Sequence, residues 1–238
     1  MVDAFHVLHP DGDVLLNLRY PDAAFAFWDE QPPEPDKLDS PRGERQLLTE
    51  GYASEVATPS HPESRSLTDD DVVLLEKPAE VQVQMRVSSS HLTLASPYFK
   101  RVIRGDWKEG HSIRSDGRLH LSLLDWDPDA VLILMNIIHG HTRSVPRSVS
   151  LEMLAKIAVL LDYYQCFEVA EVFTEMWLNR LEEELPATYS RDLILWIWIS
   201  WVFRRPERFK VGTVTALKQC RGPIQTLGLP IPTSIVGR

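Results

Sequence analysis

Residues 81 to 105 constrain the fold more than any other stretch, because two periodicities meet there at a sharp boundary. Val81, Val83, Met85 and Val87 alternate with Gln82, Gln84 and Arg86. Strand side chains point to opposite faces in turn, so this segment predicts a half-buried strand with one wet face. Three serines follow, and then the alternation stops. His91 to Ala95 read as one short helical turn, Ser96 as the cap of a second helix, and Pro97 as its first residue, where a missing N–H costs nothing. Tyr98, Phe99, Val102 and Ile103 fall on one face, and Gly105 supplies the stop. The result is a helical hairpin that presents an aromatic face to a sheet.

The same grammar recurs downstream. "RLHLSLL" at 118–124 alternates as a further strand. Asp127 and Pro128 then open a helix with Val131, Leu134, Met135 and Ile138 on its buried side and Gly140 at its end. Ser150 caps another helix, with Leu151, Leu154, Ile157, Ala158 and Leu161 facing inward. From Phe167 the pattern is wholly helical. One apolar stripe runs through Ala170, Phe173, Trp177, Leu178 and Leu181 to Pro186, and Ser190 caps a Trp-rich helix after it. The short link around Pro186 predicts antiparallel neighbours, with Arg204, Arg205 or Arg208 near Glu168 and Glu171. The tail from Phe209 shows no clear element, and "LGLPIPTSIVGR" carries too much Pro and Gly for a regular one. Near the start, "DGDVLLNL" reads as a turn and a strand.

Charge divides the chain. From Asp29 to Asp71 there are 12 acidic residues against four basic ones, with many prolines, whereas Arg204 to Arg238 is basic. Acidic Pro-rich sequence buries too little surface to offset ordering entropy, so 29–71 is expected to be a linker that is unstructured from 31 to about 68. The expected organisation is a first-strand region at 1–28, that linker, a core at 72–166 and a helical extension with an irregular tail at 167–238. The basic residues are few and lack interleaved aromatics, so no nucleic-acid groove is expected. "LILWIWISWVF" at 193–203 is about half of what a bilayer crossing needs, so it reads as a buried helix and no membrane span is expected. Two distant cysteines, Cys166 and Cys220, and an acidic start fit a reduced chain inside the cell, in cytoplasm or nucleus.

Chemistry-bearing residues do not converge. His139 and His141 lack further ligands at metal spacing, so a helix-end histidine favoured by the helix dipole is the reading for His139. Ser96, His91 and Asp106 form a triad only on paper, since no nucleophile elbow or oxyanion loop accompanies Ser96. Gly105, Gly110 and Gly117 are spaced wrongly for a phosphate loop, and Glu182, Glu183 and Glu184 read as a solvated helix end. No enzyme, cofactor or metal is expected.

Two places suggest partner contacts. The strand carrying Val14, Leu16 and Leu18 is short and apolar with no obvious cover, which predicts self-association through an edge. Trp196, Trp198 and Trp201 lie within six residues and cover much of a helix circumference, so one of them is expected outside the main core face. That helix reads either as core or as a partner surface, where Trp often anchors.

The order of strand, paired short helices, strand and three helices, with "HLTLASPYFKRVI" after "VQVQMRVSS", resembles the BTB/POZ domain in the form common among fungal proteins. The resemblance runs from about Val81 to Cys166, with "DGDVLLNL" similar to that family's opening strand and "LLDYYQC" to its closing helix. His91, Leu94, Ser96, Tyr98 and Phe99 fall at its His-x-x-Leu-x-Ser-x-Tyr-Phe signature. The resemblance implies that these are structural, the histidine and serine fixing the hairpin and the aromatics filling the core. It implies an α+β fold, a cluster of helices flanked by a small sheet, here with an all-helical C-terminal extension. It also implies a protein-protein interaction module, adaptor or scaffold that forms homodimers or heterodimers with similar domains or docks other protein partners. Cullin-binding members often carry an apolar-x-Glu motif where this chain has "SVPRSVS" at 144–150, so a ubiquitin-ligase substrate adaptor is a lesser alternative. A membrane-peripheral role for the Trp-rich helix is the other, although that helix lacks a basic polar face.

Overall fold

A computed structural model describes residues 4–19, 24–28, 83–105, 116–181, 185–220 and 222–232. The chain divides into two units, 1–28 with 79–238 and 29–78, and all described residues belong to the first. The expected linker, Val81, Asp106 and Glu182 to Glu184 lie outside the described residues.

The fold is α+β. Strands β1 (Ala4–Val7), β2 (Val14–Arg19), β3 (Val83–Val87) and β4 (Leu119–Leu124) form one sheet in the order β1-β3-β2-β4. β3 runs parallel to β1 and antiparallel to β2, and β4 runs parallel to β2. In β3 the alternation of the sequence becomes an alternation of burial, with Val83, Met85 and Val87 inward. Leu16 lies opposite both Met85 and Leu121. The inner face joins Leu92, Phe99, Val131, Leu134 and Met135 from the helices in a single core.

β2 therefore corrects the expectation of an exposed edge at Val14, Leu16 and Leu18. It is bonded on both sides, and these three side chains are at most 1% exposed. The physical reason is that a run such as Val14-Leu15-Leu16, apolar on both faces, belongs in the middle of a sheet. Its partner β3 is drawn from more than sixty residues along the chain. Among the described residues the sheet's edges are β1 and β4, and β1 has no counterpart in the elements expected from the sequence.

The helical hairpin comprises α1 (Ser89–Ala95) and α2 (Pro97–Arg104). Ser96 caps α2 by accepting the Phe99 N–H, Pro97 opens it, and Gly105 closes it in the left-handed conformation at φ 88°. Then come α3 (Pro128–Ile138), α4 (Leu151–Tyr164), α5 (Phe167–Arg180), α6 (Arg191–Val202) and α7 (Pro206–Gln219). Asp127, Ser150 and Ser190 each cap the helix they precede, as their side chains dictate.

α6 is buried at every position from Leu193 to Ser200. A helix that is apolar all round must be covered on several sides, and α4 and α7 cover it. α5 packs on α3 and α4 instead. The ion pair that joins α5 to the turn after α6 is Arg205 to Glu175 at 3.2 Å, further along α5 than the expected Glu168 or Glu171. Arg208 lies over the Trp196 ring, 4.9 Å from its centre.

α7 was not legible as a helix because its buried side is made by small residues, while its larger aliphatic side chains face outward. Val211, Val214 and Leu217 are exposed, while Gly212 and Ala216 make the contact. A Cβ at Gly212 would sit 2.9 Å from the Ile197 side chain, so glycine is what lets α7 approach α6. Residues 224–232 have no helix or strand, in agreement with their Pro and Gly content, yet Ile224, Leu229 and Ile231 are buried. Arg191 bonds the Phe25 and Ala26 carbonyls and the Glu152 carboxylate, which fastens residues 24–28 to α4 and α6.

Candidate interaction surfaces

The signature residues at 91–99 build the junction between hairpin and helices. Ser96 is fully buried; its oxygen accepts from Phe99 N at 3.1 Å, and its hydroxyl donates to the Tyr164 carbonyl at 2.5 Å. The backbone N–H of Ser96 ends α1 on the Leu92 carbonyl, while its hydroxyl starts α2 and ties it to the end of α4, which leaves that hydroxyl engaged and shielded from solvent. Phe99 stacks on Tyr164 with ring centres 4.7 Å apart, and Tyr98 meets Tyr163 and Tyr164. Leu94 departs from this pattern. It is 89% exposed on α1, so it fills no core here.

His91 lies between two other imidazoles, 4.9 Å from His139 in a stacked geometry and 5.7 Å from His9. The hydrogen bonds fix the tautomer of His139. Nδ1 faces the Met135 carbonyl at 2.9 Å and must carry the proton, while Nε2 accepts the buried Ser88 N–H at 3.0 Å. Burial pushes its pKa down to about 4, with nearby imidazoles adding to the effect and the Met135 bond opposing it. His139 is therefore a neutral core residue. The expectation of a charged helix-end histidine is corrected, because the desolvation of this site outweighs the helix dipole. His9 Nδ1 and His91 Nδ1 are buried with no partner among the described residues. No group of three or more metal-ligating side chains is present among the described residues. Burial also pushes the Cys166 thiol up to about 12, so it remains a thiol.

The outer face of the sheet carries the first candidate surface. Gln84 donates to Asn17 Oδ1 at 2.7 Å, Asn17 approaches His120 Nδ1 at 3.4 Å, and His120 Nε2 reaches Asp116 at 3.0 Å. Those polar groups satisfy one another. At the β1 edge the face turns apolar, since register places Phe5 beside Gln84 and Val7 beside Arg86. Phe5 is 54% and Val7 52% exposed.

The second candidate surface surrounds Trp201. Trp196 and Trp198 are each 1% exposed, so neither offers a partner surface, and their assignment as contacts is corrected. They point into the layers between α6 and the helices that cover it. Trp201 is 45% exposed, packs against Phe209 at 5.6 Å, and lies in an open groove of about 920 Å³ between α5 and the α6–α7 turn.

No protein-family model matches this sequence, and no curated protein matches it. Among the described residues no helix is long and apolar enough to cross a membrane.

Two groups escaped the sequence reading. Phe5 and Val7 are spaced for one face of a strand, and that alternation was the available signal. The groove had none, because it joins residues about forty positions apart, from Phe167 to Phe209, where the Arg205–Glu175 pair brings the turn after α6 to α5.

Proposed function

We propose that the chain is a non-enzymatic protein-protein interaction module of the BTB/POZ type, acting inside the cell and pairing with itself or a similar domain through the edge of β1. The observation that carries this reading is an edge strand with two large apolar side chains exposed on one face. An open edge presents unpaired backbone groups, and Phe5 and Val7 add apolar area whose burial stabilises a partner strand. The packing of Ser96, Tyr98 and Phe99 at the end of α4 supports the structural role that the resemblance implies for them. The reactive candidates support a binding role rather than catalysis, since the Ser96 hydroxyl, His139 and Cys166 are all engaged or buried in the core. Only Trp201 of the three tryptophans remains for a membrane contact, which leaves that alternative with little surface.

Sedimentation velocity tests the proposal. A dimer of micromolar affinity forms at tens of micromolar protein, and the double substitution Phe5→Ser, Val7→Ser is expected to return it to monomer with an unchanged melting temperature. Wild-type protein that stays monomeric at about 100 µM, or a dimer indifferent to both substitutions, would contradict it.

A further inference from the structure

The groove beside Trp201 has features that the pairing of β1 does not use. Its apolar parts are Trp201, Phe203, Phe209 and Phe167, the last 40% exposed. Its lining also carries the carboxylates of Asp162, Glu168, Glu171 and Glu175, the last three along α5, and the guanidinium groups of Arg204 and Arg205. Four acids against two bases leave the lining net negative by two, and Arg205 is already engaged with Glu175. Among the described residues, Asp162, Glu168 and Glu171 have no cation bonded to their carboxylates.

An independent observation points to an occupant. Ser200 lines the groove, is only 2% exposed, and its hydroxyl has no partner among the described residues. A buried hydroxyl with neither protein partner nor access to bulk water is costly, and a bound backbone or side-chain group relieves that cost. Exposed tryptophan flanked by phenylalanine and arginine is also the composition of an interface anchor.

We infer that this groove docks a basic amphipathic segment of a partner protein, its apolar side chains seated against Trp201 and Phe209 and a lysine or arginine set against Glu168 and Glu171. Charge complementarity selects that occupant, because an acidic segment would bring like charge onto a lining that is already in excess. The length of the acidic row along α5 fits a peptide, since Glu168 to Glu175 spans two turns of α5, about 10 Å of helix. This inference rests on the reading of the chain as an interaction module, but not on pairing through β1.

The test is fluorescence anisotropy with the full chain and a labelled peptide bearing leucine and phenylalanine at i, i+3, i+4 and i+7 and arginine between them. The expected result is saturable binding that Trp201→Ala weakens by about thirty-fold and Glu168→Lys with Glu171→Lys by about ten-fold. The same peptide with glutamate in place of arginine is expected not to bind. The three substituted positions are exposed, and circular dichroism of each variant checks that the fold is kept. No binding of the arginine peptide, equal binding of the glutamate peptide, or binding indifferent to Trp201→Ala overturns the inference. Self-association that Trp201→Ala abolishes also overturns it, since a second copy would then fill the groove. A dimer that depends on Phe5 and Val7 but takes up no peptide defeats the groove alone and leaves the pairing through β1 standing.

Discussion

Acidification to pH 5 is expected to destabilise the fold through one residue, His139. In the folded chain its Nε2 is bare because it accepts the Ser88 N–H, and protonation would break that bond and place a charge in the core. Its pKa falls from the ordinary 6.5 to about 4 on folding. A histidine with a depressed folded pKa contributes stability that is complete above its unfolded pKa and is lost as pH drops towards the folded one. The interval between 6.5 and about 4 limits the total to about 3 kcal/mol, at about 1.4 kcal/mol per pH unit. At pH 5 the unfolded imidazole is almost fully protonated and the folded one hardly at all, so about 2 kcal/mol is lost relative to pH 7.5. With an m-value near 2 kcal/mol/M, the urea midpoint should fall by roughly 1 M.

Two ion-paired carboxylates act in a lower pH range. Asp127 has its carboxyl held down by Lys156 and the Ala130 N–H despite opposing burial, and Glu152 is held down chiefly by Lys156 and also by Arg191. They contribute stability that is lost as pH falls through the carboxylate range, so His139→Gln serves as the reference. That variant should be weaker than wild type at pH 7.5 and should lose about 2 kcal/mol less on going to pH 5. Equal losses in the two proteins, or an NMR titration of His139 centred near its ordinary value, would refute the reasoning.

Ser96→Ala should cost about 2 to 3 kcal/mol in a chemical melt, because it removes the α2 cap and leaves the buried Tyr164 carbonyl without its donor. Phe99→Ala should cost about 3 to 5 kcal/mol, since its 1% exposed ring stacks on Tyr164 and the cavity cannot collapse freely. An unchanged melting temperature for either would remove the hairpin from the core.

Local chemistry made much of the fold legible. Ser96 with Pro97, Asp127 with Pro128, Ser150 and Ser190 start helices because their side chains satisfy backbone N–H groups that no helix can satisfy for itself. β3 was legible because its two faces meet different solvents. What the sequence concealed depends on partners distant in the chain. The run Val14-Leu15-Leu16 is apolar on both faces, but the strands that flank it lie more than sixty residues along the chain, so a central strand looked like an edge. α7 was hidden because Gly212 and Ala216, its contact residues, are small, so its buried positions carry no large apolar side chain to read. His139 at a helix end suggested a dipole-stabilised charge, and only the packing of Ser88 against it shows the neutral state. The interaction surfaces were partly visible, since one of the three tryptophans was expected outside the core, but which one depends on where α4 and α7 press on α6.

Hydrogen-deuterium exchange of the β1 amides as a function of protein concentration tests the pairing claim most directly. The amides of residues 4 to 7 that point away from β3 are expected to exchange quickly in dilute protein and to slow by about ten-fold once micromolar dimer forms, while α3 and α4 remain unchanged. Exchange in β1 that is independent of concentration, in protein shown by sedimentation to be dimeric, would contradict it.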